Sequence, residues 1–265
     1  MTTAIIGAGV MGETLLSGLL RAGVPKSELL IADRRIERSA EVTKEHGVAN
    51  GTNQEVSAKA DTVVLVVKPQ DMAIVLDEIK DSLKPGTLVV SLAAGITTGF
   101  MEDLLPAKTP VIRVMPNTPA LVDQGMAAIS SGTNSTEEHL LTVETLLRSV
   151  GQVVRVPEKY QDAVTAISGS GPAYIFYVVE AMIEGGVMLG LPRDVANELV
   201  LQTVYGAATM LRETNEHPTV LREQVTSPGG TTVAALRQFD DFKVRAAFLS
   251  AMEAARDRSK ELGMQ

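Results

Sequence analysis

Thr3-Ala4-Ile5-Ile6-Gly7-Ala8-Gly9-Val10-Met11-Gly12 decides the fold of this chain. A short uncharged run leads straight into G-x-G-x-x-G. Met11–Ala22 behind it has the length and apolar spacing of a helix. Alone the glycine pattern is a weak signal, and it also reads as a tight strand–helix turn without a ligand. Here a second strand-like run, Leu29–Ala32, follows within about 30 residues, the context in which the pattern binds a dinucleotide. In that reading Gly7 permits the tight turn, Gly9 lets a pyrophosphate approach the backbone, and Gly12 lets the helix pack on its strand. The helix N-terminus then offers unpaired N–H groups and the positive end of its dipole to the phosphates, with Ala8, Val10 and Met11 completing the loop.

Working outward, the same alternation continues. Strand-like runs recur at Thr62–Val67, Leu88–Leu92, Val111–Val114, Met126–Ser130 and Gln152–Val156, short and rich in Val, Ile or Leu, as strands buried on both faces are. Helix-length segments lie between them at Ile36–His46, Met72–Leu83 and Thr98–Leu105, with Gly23, Gly47 and Gly86 where helices stop. Repeated strand–helix–strand predicts an α/β fold with a Rossmann-type, doubly wound parallel sheet. After residue 156 no strand signal remains. Pro172 and Pro192 suit helix starts, Val233–Arg237 reads as a short helix, and Phe242–Leu262 reads as one long helix with Phe248 and Met252 on one face. The expectation is an N-terminal dinucleotide-binding domain over 1–158 and an all-helical C-terminal domain over 159–265.

Composition narrows the function. Of 265 residues, 32 are acidic and 24 basic, for a net charge of −8, so a general nucleic-acid binder is disfavoured. The chain has 45% apolar residues and no cysteine. That composition is globular, and it removes disulfides, cysteine nucleophiles and thiolate metal sites. With aromatics at 3% and no tryptophan, stacking platforms for bases are unexpected. The N-terminus lacks a secretory pattern, and unbroken apolar runs are too short to span a bilayer. A soluble cytoplasmic protein with no membrane contact is expected. His46, His139 and His217 have no metal-ligand spacing, and no metal is expected. No G-x-S-x-G elbow is present.

The other motifs gather at expected strand ends. Asp33-Arg34-Arg35 closes the second strand about 20 residues beyond the turn, where an acid holds the ribose 2′-hydroxyl of NAD and an arginine accommodates the 2′-phosphate of NADP. Both residue types are present, so the two cofactors stay open. Val67-Lys68-Pro69-Gln70 leaves the third strand, and Met115-Pro116-Asn117-Thr118-Pro119 leaves the fifth, at the edge where ligands sit in open sheets. Ser227-Pro228-Gly229-Gly230-Thr231-Thr232 can present several N–H groups to an anion such as a carboxylate. Each also has a plainer reading: an ordinary strand exit, a proline turn, a capped helix start.

Taken with Ala93-Ala94-Gly95-Ile96, Ser168-Gly169-Ser170-Gly171-Pro172-Ala173-Tyr174 and Gly190-Leu191-Pro192, these motifs resemble the pyrroline-5-carboxylate reductases over essentially the whole chain. The resemblance implies a Rossmann domain followed by a helical domain that pairs with its twin, giving dimers or pentamers of dimers. It implies reduction of 1-pyrroline-5-carboxylate to L-proline, the last step of proline biosynthesis, with NADPH or alternatively NADH. By resemblance Ser227, Gly229, Gly230, Thr231 and Thr232 hold the substrate with Gln224 and Glu158 near, and the Thr232 hydroxyl meets the ring nitrogen as the catalytic group. Asn53 matches a cofactor position. Gly7–Gly12, Arg34, Arg35, Val67–Gln70, Ala93 and Met115–Asn117 complete the expected cofactor set. Some members carry an acid two residues before the His-Pro; here that position is Asn215, with Glu216 beside it, and no proton-transfer role is assigned to Glu216. A β-hydroxyacid dehydrogenase would need a lysine in the helical half, which offers Lys243 and Lys260. A non-catalytic nucleotide sensor would show a degraded substrate loop, and this loop is intact.

Overall fold

The computed structural model describes residues 1–263. Eight strands form one sheet: β1 Thr3–Ile6, β2 Leu29–Ala32, β3 Ala49–Asn50, β4 Thr62–Leu65, β5 Leu88–Ser91, β6 Val111–Met115, β7 Gly125–Ser131 and β8 Gly151–Arg155. Their order is β3-β2-β1-β4-β5-β6-β7-β8. Helices α1 Val10–Arg21, α2 Ile36–His46, α3 Asn53–Ser57, α4 Met72–Ile79, α5 Thr98–Leu104, α6 Glu137–Arg148 and α7 Gln161–Val164 connect and follow them.

β1, β2, β4 and β5 are buried at every residue, because alternate side chains enter two separate cores. Ile5, Ile31, Val64, Val90 and Ile112 point to one face with Leu15, Leu16 and Leu19 of α1 and Val143, Leu146 and Leu147 of α6. Ala4, Ile6, Val63, Leu65, Val89 and Val111 point to the other with Met72, Leu76 and Ile79 of α4 and Met101 of α5. Strand order reverses at β1, which pairs β2 on one side and β4 on the other with Ile6 opposite both Ala32 and Leu65. This is the switch point at which open sheets bind ligands.

Several details depart from expectation. The sheet is not wholly parallel: β7 runs antiparallel to β6. The connection Pro116–Gln124 holds only a 3₁₀ turn at Thr118–Val122, too short for the crossover of about a dozen residues that parallel neighbours need. Strand β4 stops at Leu65; Val66 still donates its N–H to the Ile6 carbonyl at 2.8 Å, and Val67 lies beyond the strand. Helix α4 stops at Ile79, and a 3₁₀ turn continues it. The small β3 and α3 have no counterpart in the strand and helix runs, although Thr52 and Glu55 form a reciprocal capping box at the start of α3.

The remaining helices are α8 Gly171–Met188, α9 Arg193–Thr214, α10 Pro218–Gln224, α11 Thr231–Asp241 and α12 Val244–Gly263. The expected single helix over Phe242–Leu262 is preceded by a break: Lys243 has φ 56°, a left-handed conformation that no helix interior holds, and Phe242 caps α11. By compactness the chain separates into Met1–Ser170 with the segment from Ala254 onward, and Gly171–Glu253. Residues just after 158 stay with the sheet because Gln161, fully buried, donates from Nε2 to the Ala128 carbonyl (3.3 Å) and to Ser130 Oγ (2.8 Å).

Within the second unit α8 packs on α9 at Gly186, where an added Cβ would stand 2.9 Å from the Ala196 methyl. Among its described residues only Ala196 and Val200 are buried. Phe176, Tyr177, Met188, Leu189 and Tyr205 are exposed, an apolar surface too extensive for a unit standing alone. Glu158–Met188 is long and apolar enough by composition to cross a membrane, though only 6% buried. Serines, glycines and four acids, Glu158, Asp162, Glu180 and Glu184, interrupt the stretch, so it holds no long unbroken apolar run.

Candidate active site

The glycine turn sits at the switch point. Gly7 has φ +108°, and a Cβ there would lie 2.3 Å from the Val66 carbonyl oxygen. At Gly12 a Cβ would lie 1.9 Å from the Gly7 oxygen. Both positions therefore need glycine to close the turn. At Gly9 a Cβ would meet nothing within 4 Å. Gly9 is also the N-cap of α1, without a side-chain cap, and the first N–H used inside the helix is that of Glu13, donated to the Gly9 carbonyl. An open backbone and uncapped N–H groups at one helix end fit the pyrophosphate of a dinucleotide.

A cleft of about 850 Å³ opens beside this turn, lined by Gly7, Gly9, Asp33, Arg34, Arg35, Asn53, Val67 and Lys68 among others. Asp33 is drawn inward: its Oδ2 accepts from the Ala8 N–H at 2.7 Å, and its Oδ1 from the Arg35 N–H at 2.9 Å and Nε at 3.3 Å. Arg34 stands 85% exposed, 3.6 Å from Asp71 Oδ1. Asn53, first residue of α3, donates from Nδ2 to Glu78 Oε2 at 2.7 Å. Arg38, which no motif singled out, donates from Nε to the Ala8 carbonyl at 2.8 Å and also bonds Glu13 and Glu41. Its pKa is raised: burial opposes the charge, but the hydrogen bonds it donates to Glu41 and Glu13 outweigh that.

The other expected cofactor residues lie elsewhere in the unit. Pro116 and Asn117 border a small separate cavity together with Met11. Asn117 spends its amide on structure, with Nδ2 donating to the Ser168 carbonyl (3.2 Å) and Oγ (3.3 Å) while Oδ1 accepts from the Met126 N–H (2.8 Å). A Cβ on Gly169 would stand 2.5 Å from the Met115 methyl. The Ser168–Gly169 motif thus lies against the Met115–Asn117 loop. Ala93 is buried, and its N–H donates to Ser91 Oγ. Pro69 and Gln70 form an exposed 3₁₀ turn.

Glu158 is committed inside the sheet unit. Its carboxylate accepts from the Thr98 N–H (2.8 Å) and Oγ1 (2.6 Å), and lies 3.4 Å from Nη1 of the buried Arg113. It therefore holds the first turn of α5 and neutralises a buried cation. Glu13, Glu45 and His46 bring ligand atoms within 4.8 Å of one another, but the Arg38 guanidinium occupies the Glu13 carboxylate. The remaining histidines cap helices: His139 shares a capping box with Thr136, and His217 Nδ1 accepts from Thr219 N–H.

In the second unit the loop before α11 is shaped for an anion. Gly230 is the N-cap and no side chain caps it. Its N–H donates to the Ser227 carbonyl at 3.0 Å, and Gly229 takes φ +69°. The free N–H groups at Thr231 and Thr232 are the kind that receive a carboxylate. Gln224 ends α10. Lys243 and Lys260 are exposed, Lys243 in the break between α11 and α12.

Comparison with known proteins agrees with this layout. The description "pyrroline-5-carboxylate reductase dimerisation" matches residues 158–262, and "NADP oxidoreductase coenzyme F420-dependent" matches residues 2–95. The chain is 46% identical to a pyrroline-5-carboxylate reductase of Corynebacterium melassecola over 99% of its own length and 98% of the relative's. It is similar to the solved pyrroline-5-carboxylate reductase of Coxiella burnetii, with a TM-score of 0.93 at 36% identity, covering 98% of each chain. The Plasmodium falciparum pyrroline carboxylate reductase, solved with NADP bound, gives 0.88 at 30% identity over 99% and 98% of the two chains.

Proposed function

The chain belongs to the pyrroline-5-carboxylate reductase family, an oxidoreductase that reduces 1-pyrroline-5-carboxylate to L-proline in proline biosynthesis, and from that premise we propose how its own residues divide the work. The observation that carries the reading is that one chain holds both an open glycine turn at the switch point and an uncapped, anion-ready loop at Ser227–Thr232.

Residues 1–158 form the cofactor domain, and 159–265 serve substrate binding and pairing. The turn Gly7–Gly12 receives the pyrophosphate. Arg34 and Arg35 take the 2′-phosphate, so NADPH is preferred and NADH is the weaker alternative. Asn53, Val67, Lys68, Pro69 and Gln70 border the cofactor, and Ala93, Met115, Pro116 and Asn117 shape the nicotinamide end through their backbones. The bound cofactor supplies the hydride. The backbone N–H groups of the loop at Ser227, Gly229 and Thr231 hold the substrate carboxylate, Gly230 closes the turn through its bond to the Ser227 carbonyl, and Gln224 lies beside the loop in the chain. The Thr232 hydroxyl bonds the ring nitrogen, orienting a protonated imine whose C=N carbon is electrophilic. Glu158 contributes by fixing the start of α5.

Self-association is implied by the dimerisation region and supported by the uncovered apolar surface of α8 and α9. That surface meets a second copy rather than lipid, in a cytoplasmic dimer or a pentamer of such dimers. The experiment is the loss of reduced-nicotinamide absorbance with pyrroline-5-carboxylate, first with NADPH and then NADH. Thr232→Ala lowers kcat far more than it weakens NADPH binding, and equal turnover in the two proteins removes Thr232 from the mechanism.

A further inference from the structure

Asp33 stands where an acid ordinarily reads the ribose of NAD, yet both its oxygens are already engaged within the protein. The side chain is only 10% exposed. One oxygen accepts the Ala8 N–H, and the other the N–H and Nε of Arg35. On the far side of the same residue, Arg38 Nε donates to the Ala8 carbonyl at 2.8 Å. Ala8 is fully buried and lies between Gly7, held at φ +108°, and Gly9, which faces open space. Both peptide groups of Ala8 are thus gripped by charged side chains from the second strand–helix unit. Arg38 is fixed in turn by Glu13 of α1 and Glu41 of α2, and Glu13 also faces His46 Nε2 at 3.3 Å.

We propose that Asp33 and Arg38 are positioning residues that clamp the Ala8 peptide and so aim the glycine turn at the cofactor, and that Asp33 does not read the ribose. The reason is geometric. A flexible glycine turn would spend binding energy on ordering itself, and a turn held in advance does not. The clamp acts on the pyrophosphate, which NADPH and NADH share, so it raises affinity for both alike. Discrimination between them falls to the exposed Arg34 and Arg35. This rests on the reading of the cleft as the dinucleotide site.

The test is calorimetric titration of the full-length protein with NADPH and with NADH, in wild type, Asp33→Asn, Arg38→Met and Arg38→Lys. Asp33→Asn is nearly isosteric but turns an NH₂ toward a donor. Charge-assisted hydrogen bonds set the scale, so both dinucleotides should bind about tenfold more weakly in Asp33→Asn and in Arg38→Met, with their ratio kept within about twofold. Arg38→Lys, which keeps one donor for the carbonyl, recovers part of the loss. The KM for the imine at saturating NADPH stays at the wild-type value, a split that general loss of fold would not produce. If Asp33→Asn weakens NADH alone and leaves NADPH binding intact, the acid reads the ribose and the clamp is refuted. Unchanged affinity for both dinucleotides in the variants refutes it as well. A wild-type chain that binds neither dinucleotide ends the cofactor reading together with the clamp, whereas intact wild-type binding with a shifted ratio ends the clamp alone.

Discussion

Replacing Gly9 and Gly12 separately by alanine should divide the glycine turn into a part that binds and a part that folds. At Gly12 the new Cβ would stand 1.9 Å from the Gly7 carbonyl oxygen and 3.1 Å from its carbon. Ordinary contact requires the backbone to retreat by about 1.5 Å, more than a well-packed core yields without strain. The Ile5 side chain at 3.5 Å blocks one direction of relief. Overpacking of this kind costs about 3 kcal/mol at its upper end. For a domain of this size that corresponds to a Tm lower by roughly 6–12 °C. At Gly9 no atom lies within 4 Å of the new methyl, and φ −69° with ψ −175° suits alanine. Reduced freedom of the unfolded chain stabilises by about 0.4–1 kcal/mol, and a poorer N-cap costs a similar amount, so Tm stays within a few degrees. The Gly9 methyl occupies the space into which the pyrophosphate must come. NADPH affinity should therefore fall about 100-fold in Gly9→Ala, since contacts with several N–H groups are lost together. Thermal unfolding and calorimetric titration of the two variants read both quantities. Wild-type NADPH affinity in Gly9→Ala would show that the phosphates do not approach there. A Gly12→Ala protein with wild-type Tm would contradict the close approach of α1 to the turn.

Other perturbations test other parts of the structure. Glu158→Ala leaves the Arg113 cation buried without its partner and strips α5 of an N-terminal acceptor. It should destabilise by about 3–5 kcal/mol, read by denaturant unfolding, and a loss below 1 kcal/mol would mean that solvent reaches Arg113. Arg34→Ala with Arg35→Ala should raise the KM for NADPH about tenfold and leave that for NADH nearly unchanged, by the strength of charge-assisted contacts to phosphate. The Asp61 carboxyl is held below its ordinary pKa, chiefly because it accepts the Thr2 N–H and also because Lys84 lies beside it. A depressed folded pKa contributes stability that is present above the unfolded value and lost as pH falls through the folded one. Asp61→Asn should therefore lower Tm at pH 7, with the gap to wild type closing below about pH 4. A gap independent of pH would place the effect in the lost hydrogen-bond geometry.

What was legible in the sequence was whatever rests on short-range chemistry. The period of Thr3–Ile6 and Leu29–Ala32, with the glycines between strand and helix, carries its own reading because a buried parallel strand admits only apolar or small residues and the turn admits only glycine. The Ser227–Thr232 loop was visible for a similar reason: adjacent glycines before a helix leave N–H groups with no local partner. Even the missed helix α3 carried a signal, the Thr52/Glu55 capping box, and the reversal of β7 follows from a connection too short to cross over.

Other features depended on residues far apart in the chain. Asp33 offered two readings from its position, and its direction is fixed by Ala8, which the parallel pairing of β1 and β2 brings beside it. Arg38 looks like any charged residue on a surface helix until α2 sets its Nε against the Ala8 carbonyl. Glu158 and Asn117 resemble ligand-facing residues in sequence, but Arg113, Thr98 and Ser168 occupy their polar atoms. The sequence alone determined which backbone segments leave N–H groups open, since that depends on local conformation and the absence of a side chain. Only the tertiary structure decided where each charged side chain spends its hydrogen bonds, because long-range packing selects the partner of a carboxylate or guanidinium from every group it brings within reach.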